Sequence, residues 1–148
     1  MSEIKAGLMA DIKACMKSGD KSRLGVLRLI SSAVKQREVD ERVDTDDTAM
    51  ITILDKMAKQ RRESIEQFNA AGRTDLADAE VAELEIIKTY LPEQLSEAEI
   101  NELIEKTVAD TGASSIRDMG KVMGVLKPEL QGRADMSAVS GLIKSRLG

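Results

Sequence analysis

The spacing of apolar side chains is the feature that most constrains this chain. Apolar residues recur at steps of three and four almost from end to end, and only two prolines, Pro92 and Pro128, interrupt the 148 residues. This spacing gathers apolar residues on one side of an α-helix, whereas a half-buried strand would show strict alternation. The sequence therefore predicts an all-α fold with seven helices joined by short turns.

One break in this pattern divides the chain into two parts. Pro92 lacks the N–H donor that a helix interior needs, and Ser96 with Glu99 forms a capping box before the next apolar stripe. We therefore predict an N-terminal bundle of about four helices over residues 1–91, a hinge over 92–96 and a small three-helix tail domain over 97–148. The predicted helices span 2–17, 21–41, 46–71, 75–91, 97–112, 116–127 and 136–147. Pro128 is expected to open a short turn that Gly132 closes.

The residue types that the chain lacks exclude several kinds of site. There is no His, which removes His-dependent nucleophile systems and His-ligated metals. The aromatic residues are only Phe68 and Tyr90, too few for a base-stacking platform. No glycine-rich phosphate-binding motif is present. We expect no catalytic residues, no metal and no cofactor, and a binding module in preference to an enzyme.

Three observations bear on location. The single Cys15 cannot form an internal disulfide, and residues 1–10 lack the basic and apolar regions of a secretory signal peptide. No apolar run approaches the ~18 residues that a membrane span needs. From these we predict a cytoplasmic protein with no membrane partner.

The charge of the chain is unevenly distributed. The net charge is −4, yet residues 112–148 carry six basic and three acidic side chains. On the helix predicted there, Arg117, Gly120, Lys121 and Gly124 share the side opposite the apolar one. Each glycine costs about 1 kcal/mol of helix propensity relative to alanine, which indicates a further reason for two of them. Close packing against another helix of the chain, a polyanion or partner surface, and chance all remain open.

Two other charged segments are interpreted more simply. The run KQRR at 59–62 has acidic residues one turn away on either side, and we interpret it as a solvated helix face. Arg61 is the exception, because it falls on the apolar stripe of its helix and could either lay its aliphatic stem across the core or enter a polar network. The acidic residues of the fourth helix lack the spacing of a calcium loop and are also interpreted as a solvated face: Asp78, Glu80, Glu83 and Glu85.

Longer stretches of the sequence resemble a known family. They are LRLISSAVKQREVD at 27–40, KQRRESIEQFNAAGRTDLADAEVAELEIIKTYLPEQLS at 59–96, and DMGKVMGVLKPELQGRADMSAVSGLIKSRL at 118–147. The order of AGRTDLA, the YLPEQLSEAEI corner, GKVMG and GRAD resembles the GatB/YqeY family, specifically its free-standing YqeY-like proteins. The resemblance covers essentially the whole chain.

The resemblance implies a function as well as a fold. The C-terminal part is similar to the tail domain of the B subunit of the glutamine-dependent aminoacyl-tRNA amidotransferase, which contacts the tRNA body. The family is described by carbon–nitrogen ligase activity with glutamine as amido-N-donor, but the catalytic elements of that enzyme match no stretch here. The resemblance thus implies an accessory module that binds tRNA weakly and is not catalytic alone. Further partners would be an aminoacyl-tRNA synthetase or an amidotransferase.

Individual residues follow from the matching motifs. Lys121 and Arg133 are expected to contact tRNA phosphates, with Arg117 and Lys127 in support. The glycines expected to allow close approach are Gly120, Gly124 and Gly132. Asp135 is expected to cap the last helix and hold the GRAD corner. The alternative is a helical protein–protein adaptor without RNA binding, and salt dependence would separate the two.

Overall fold

A computed structural model describes residues 2–148; Met1, the first residue of the predicted N-terminal domain, lies outside the described residues. Residues 2–148 form seven α-helices and no β-strand, which confirms the predicted all-α fold class. The helices are α1 (Glu3–Ser18), α2 (Lys21–Glu41), α3 (Asp47–Ala70), α4 (Thr74–Lys88), α5 (Glu97–Thr111), α6 (Met119–Leu130) and α7 (Met136–Leu147), and a short 3-10 helix (Ile116–Asp118) precedes α6. The chain divides into two compact units, Met1–Pro92 and Glu93–Gly148.

Local capping residues set most of the helix ends. The side chains of Ser2, Asp20, Asp46 and Ser96 each accept a hydrogen bond from the backbone N–H three residues later, at the starts of α1, α2, α3 and α5. These bonds satisfy donors that have no partner inside the helix. Because such signals are local in the sequence, the observed helices start within one residue of the predicted positions in all four cases.

The first unit packs α1–α4 around one apolar cluster. Its fully buried side chains include Leu8, Leu27, Ile30, Met50, Leu54 and Ile87. Polar contacts fasten the start of α1 to the rest of the unit. The Ser2 hydroxyl donates to the Asp47 carboxylate, and Lys5 Nζ lies 2.6 Å from Glu38 Oε2. Among residues 2–148, no helix has the length and apolar character to cross a lipid bilayer.

Two predicted helix ends are wrong. Helix α4 ends at Lys88, earlier than the predicted residue 91, and residues 89–91 form tighter turns in which Leu91 N–H donates to Lys88 O. The α conformation is disfavoured immediately before a proline, here Pro92. Conversely, α6 continues through Pro128 to Leu130. Pro128 removes only one hydrogen bond near the helix end, and the fully buried Leu130 keeps that last turn against the core.

The second unit packs α5–α7 around its own apolar cluster, which includes Ile104, Val122, Leu126, Leu130, Val139 and Ile143. The segment before α5 also contacts this unit. Leu95 N–H donates to Arg133 O at 2.9 Å, and Gln94 Nε2 donates to Gly132 O. Residues 94 and 95, which fall in the predicted hinge, are thus hydrogen-bonded to the corner between α6 and α7.

Candidate functional site

The outward side of α6 brings together most of the residues that the sequence singled out. Arg117, Gly120, Lys121, Gly124 and Lys127 are all exposed. The opposite side of the helix carries the buried residues Val122, Leu126 and Leu130, which hold α6 on the core. We call the five exposed residues the α6 face. It combines three cations with two positions that have no side chain.

The two glycines of the α6 face do not serve packing inside the chain. A Cβ atom added at Gly120 or Gly124 would meet no atom of residues 2–148 within 4 Å, apart from the chain neighbours and the backbone of its own helix. Close helix–helix packing within the described chain, one of the open interpretations, is therefore excluded. The glycines instead leave a low surface between the cations that another molecule can approach closely.

One acidic residue lies next to the cations. Asp118 accepts backbone hydrogen bonds from Ser114 and Ser115, and the Ser114 N–H is the main cause of a lowered Asp118 pKa. Lys121 Nζ lies 3.8 Å from Asp118 Oδ1, while its side chain remains 69% exposed. Ion pairs that are this exposed contribute little, so Lys121 remains able to bind an external anion.

The remaining predicted residues lie elsewhere, in the corner between α6 and α7. Gly132 is buried and has a positive φ of 75°, a conformation that favours glycine, so its role here is to close the turn. Arg133 is half-buried, and its Nε donates to the Glu93 carbonyl at 3.3 Å. Asp135 is the N-cap of α7 and accepts from Ser137 N–H. The structure therefore separates Gly132 and Arg133 from the α6 face.

A polar cluster in the first unit was only partly anticipated. Arg61 Nε lies 2.7 Å from Glu83 Oε2 and 3.4 Å from Glu80 Oε2, so it joins α3 to α4. All three side chains are half-buried, and the interpretation of Glu80 and Glu83 as solvated acids is wrong. The signal was the position of Arg61 on an apolar stripe, which requires an acidic partner across the helix interface. Within residues 2–148, no group of three or more His, Cys, Asp or Glu side chains could hold a metal ion.

The only tyrosine of the chain forms a second buried contact. Tyr90 Oη donates to Asp11 Oδ2 at 2.5 Å and thereby ties the end of the first unit to α1. Burial is the main cause, and the hydrogen bond to Asp11 the second, of a rise in the Tyr90 pKa from 10.0 to about 12.

Comparisons with known proteins found one matching family model and several similar proteins. The family model described as "Yqey-like protein" matches residues 5–147. A protein of Pyrenophora tritici-repentis named "Altered inheritance of mitochondria protein 41, mitochondrial" is 33% identical over 144 residues, which cover 95% of this chain and 79% of that protein. Proteins of the same name from Lachancea thermotolerans and Clavispora lusitaniae are 34% and 36% identical; the matches cover 74% and 68% of this chain and 60% and 58% of theirs.

These names correct one prediction. Several of the similar proteins are called mitochondrial, which contradicts the cytoplasmic location predicted from the sequence. That prediction relied on a lone cysteine and on the composition of residues 1–10. Cys15 is buried and makes no disulfide, so it would behave alike in many compartments and does not identify one.

Proposed function

The chain belongs to the Yqey-like family, and on that basis we propose that it binds tRNA through the α6 face. The binding would serve glutamine-dependent tRNA amidation as an accessory function, without catalysis by this chain. The observation that carries the proposal is the exposed set of Arg117, Lys121 and Lys127 around Gly120 and Gly124, whose Cβ positions open onto empty space.

The chemistry of the α6 face suits phosphate groups better than bases. Its polar groups are guanidinium and ammonium, which make charge-assisted bonds to phosphate oxygens. Phe68 and Tyr90, the only aromatic residues, both lie in the first unit, so the second unit has no aromatic side chain on which a base could stack. We therefore expect contacts along the tRNA backbone with little dependence on base sequence.

The link to amidation comes from the resemblance of residues 118–147 to the tail domain of the amidotransferase B subunit. In this proposal a partner enzyme, an amidotransferase or an aminoacyl-tRNA synthetase, performs the chemistry while this chain holds the tRNA. Arg133 contributes less than the α6 face, because its Nε is already bonded to the Glu93 carbonyl. We assign Gly132 and Asp135 to the structure of the corner.

The test is a titration of bulk tRNA with the full chain at two salt concentrations. Three neutralised phosphates would make log affinity fall with log salt at a slope of roughly −2 to −3. The variant Arg117→Glu/Lys121→Glu/Lys127→Glu should lose most of the binding and flatten that slope. The control variant Lys56→Glu/Lys59→Glu/Lys106→Glu changes the charge equally at exposed positions outside the α6 face. Equal losses in both variants would contradict the proposal.

A protein–protein adaptor is the second candidate, and one observation favours it. Two apolar side chains, Ile116 and Val125, are 47% and 46% exposed on the 3-10 helix and on α6. They could supply apolar contacts to a partner protein at the edges of the α6 face. The test measures binding of the chain to a purified partner enzyme. An affinity that does not change with salt concentration and that Val125→Ser lowers would support the adaptor hypothesis over RNA binding.

A further inference from the structure

A line of cations runs along α2 in the first unit. Lys21, Arg28 and Lys35 follow one another at seven-residue steps, and Arg42 continues the series just after the helix. Seven residues advance a helix by about 10.5 Å. Each step also turns the line by only about 20°, so the four residues share one side of the helix. All four are exposed. We call them the α2 line.

Most of the α2 line has no acidic residue beside it, and the acidic residues of α2 all lie at its end, from Glu38 onward. Residues 21–37 contain five basic side chains and no acidic one. Within residues 2–148, Lys21, Arg28, Lys35 and Arg42 make no ion pair.

The acidic residues at the end of α2 have other partners. Glu38 pairs with Lys5 and accepts the Thr45 N–H, Asp40 accepts from Gln36, and Glu41 pairs with Arg37. Over the length of the α2 line, residues 21–42 carry six basic and three acidic side chains, a local net charge of +3 on a chain whose net charge is −4.

Some positions between the first three cations carry short side chains or none. Gly25 and Ser32 are exposed, Ser31 is half-exposed, and a Cβ at Gly25 would meet no atom of the described chain within 4 Å beyond its own helix backbone and chain neighbours. Short side chains let an extended polymer lie along the helix, and serine hydroxyls donate to phosphate oxygens.

A lipid surface fits this helix less well. It would need a continuous apolar face beside the cations. The exposed apolar residues of α2, Leu29 and Val39, are ten residues apart, which is about 15 Å along the helix. The polar side chains Ser32 and Gln36 lie between them on the exposed surface.

We propose that α2 is a second nucleic-acid contact of this protein, with the α2 line binding a sugar–phosphate backbone. The regular spacing over roughly 30 Å matches a ligand with evenly repeated charges. This surface lies in the first unit and does not depend on the α6 face, so the inference stands or fails separately from the proposed function.

The experiment measures binding of the full chain to a fluorescein-labelled oligouridylate, which presents a backbone with little base structure. We compare wild type with Lys21→Gln/Arg28→Gln/Lys35→Gln at low and at moderate salt. The variant should bind roughly tenfold or more weakly at low salt, with a salt slope shallower by about 2. The matched control is Lys59→Gln/Lys106→Gln/Lys144→Gln, which removes three exposed charges from other helices and should change affinity by less than about threefold.

Glutamine keeps the length and helix propensity of the replaced side chains, so the variants should fold. Far-ultraviolet circular dichroism checks this, and Lys21→Gln/Lys35→Gln is the milder second variant.

The α6-face variant Arg117→Glu/Lys121→Glu/Lys127→Glu, titrated in parallel, separates the two surfaces. If only the α6-face variant loses oligouridylate binding, the α2 inference is overturned and the proposed function is supported. If only the α2 variant loses oligouridylate binding, the α2 inference is supported and the proposed role of the α6 face is contradicted. A further titration uses vesicles of phosphatidylcholine and phosphatidylserine. If the wild type binds them, and the α2 variant loses this binding while its oligouridylate binding is unchanged, the α2 inference is overturned in favour of a membrane.

Discussion

Arg42 ends α2 in a left-handed conformation with a φ of 56°, the only non-glycine residue with positive φ among residues 2–148. In this region Cβ approaches the following carbonyl, at a cost of roughly 1–2 kcal/mol that glycine avoids. We predict that Arg42→Gly raises the free energy of unfolding by about 0.5–1 kcal/mol, after the greater freedom of glycine in the unfolded chain is counted. Urea denaturation, monitored by Tyr90 fluorescence, measures this change in the free energy of unfolding.

The control for this prediction is Arg28→Gly, in the middle of the same helix. It should lower the free energy of unfolding by about 1 kcal/mol, because glycine there only loses helix propensity. Both variants remove one arginine from the α2 line, so the difference in sign isolates the backbone. If Arg42→Gly were as destabilising as Arg28→Gly, the left-handed end of α2 would be contradicted.

Tyr90 allows a titration that reports on one residue. The folded chain holds the phenol proton with a pKa of about 12, against 10.0 for a free tyrosine, so the folded state favours the protonated form. The contribution of the Tyr90–Asp11 contact to stability is therefore complete below pH 10 and is lost as pH rises towards 12.

Near-ultraviolet absorbance of the phenolate gives a direct measurement, because the chain has no Trp and no other Tyr. The titration midpoint should lie near pH 12 in buffer and near 10 in concentrated urea. Tyr90→Phe should lose stability at neutral pH but show a weaker alkaline decline than wild type. A midpoint near 10 in the folded chain would show that Tyr90 is neither buried nor hydrogen-bonded to Asp11.

At the scale of a helix, the glycines of α6 should lower the stability of the helix while allowing tRNA to approach closely. Gly120→Ala and Gly124→Ala each place a methyl group in open space, so each should raise the free energy of unfolding by about 1 kcal/mol through helix propensity. If close approach of tRNA requires the missing side chains, the double variant should also bind tRNA more weakly at unchanged charge. Gly141→Ala, on the exposed side of α7, is the control: it should stabilise the unit without changing tRNA affinity.

The sequence predicted those helix ends that depend on neighbours along the chain. Helices α1 and α5 end within one residue of the predicted positions, where Gly19 and Gly112 take positive φ, and Ser96 with Glu99 starts α5, as predicted. The exposed and buried sides of α6 also followed from spacing alone, because period determines which residues share a side.

What the sequence could not show depends on residues far apart in the chain. The helix continues through Pro128 because Leu130 is buried by other helices of the second unit, and no local signal contains that information. Arg133 has all the attributes of a phosphate-binding residue in sequence, yet its Nε bonds to Glu93, forty residues away. The Arg61 contacts with Glu80 and Glu83 likewise cross between two helices.

At the scale of the whole molecule, the contacts of residues 93–95 make the start of the second unit testable. Three hydrogen bonds connect this segment to the α6–α7 corner: Leu95 N–H to Arg133 O, Gln94 Nε2 to Gly132 O, and Arg133 Nε to Glu93 O. Each contributes about 1 kcal/mol net. A fragment of this size is close to the lower limit for independent folding, so such a difference decides whether it folds.

We therefore predict that residues 93–148 form a more stable fragment than residues 96–148, by about 2–3 kcal/mol. Both fragments keep the Ser96 cap, so the comparison isolates the three-residue segment. Thermal melting followed by circular dichroism measures the difference. Equal midpoints would show that the segment serves only as a linker, as the predicted hinge over 92–96 implies.

The labelling rate of Cys15 measures how often the packing of α1 opens. Cys15 is the only thiol of the chain, and it lies buried on the core side of that helix. A thiol reagent can reach it when α1 detaches or when the whole first unit unfolds, so under native conditions the labelling rate is the fraction of these open forms multiplied by the rate for a free thiol. Lys5→Met removes the ion pair with Glu38 near the start of α1 and should speed labelling severalfold, whereas Lys144→Met in the second unit should not. One cysteine thus records how often the core side of α1 opens in the native protein, without any denaturant.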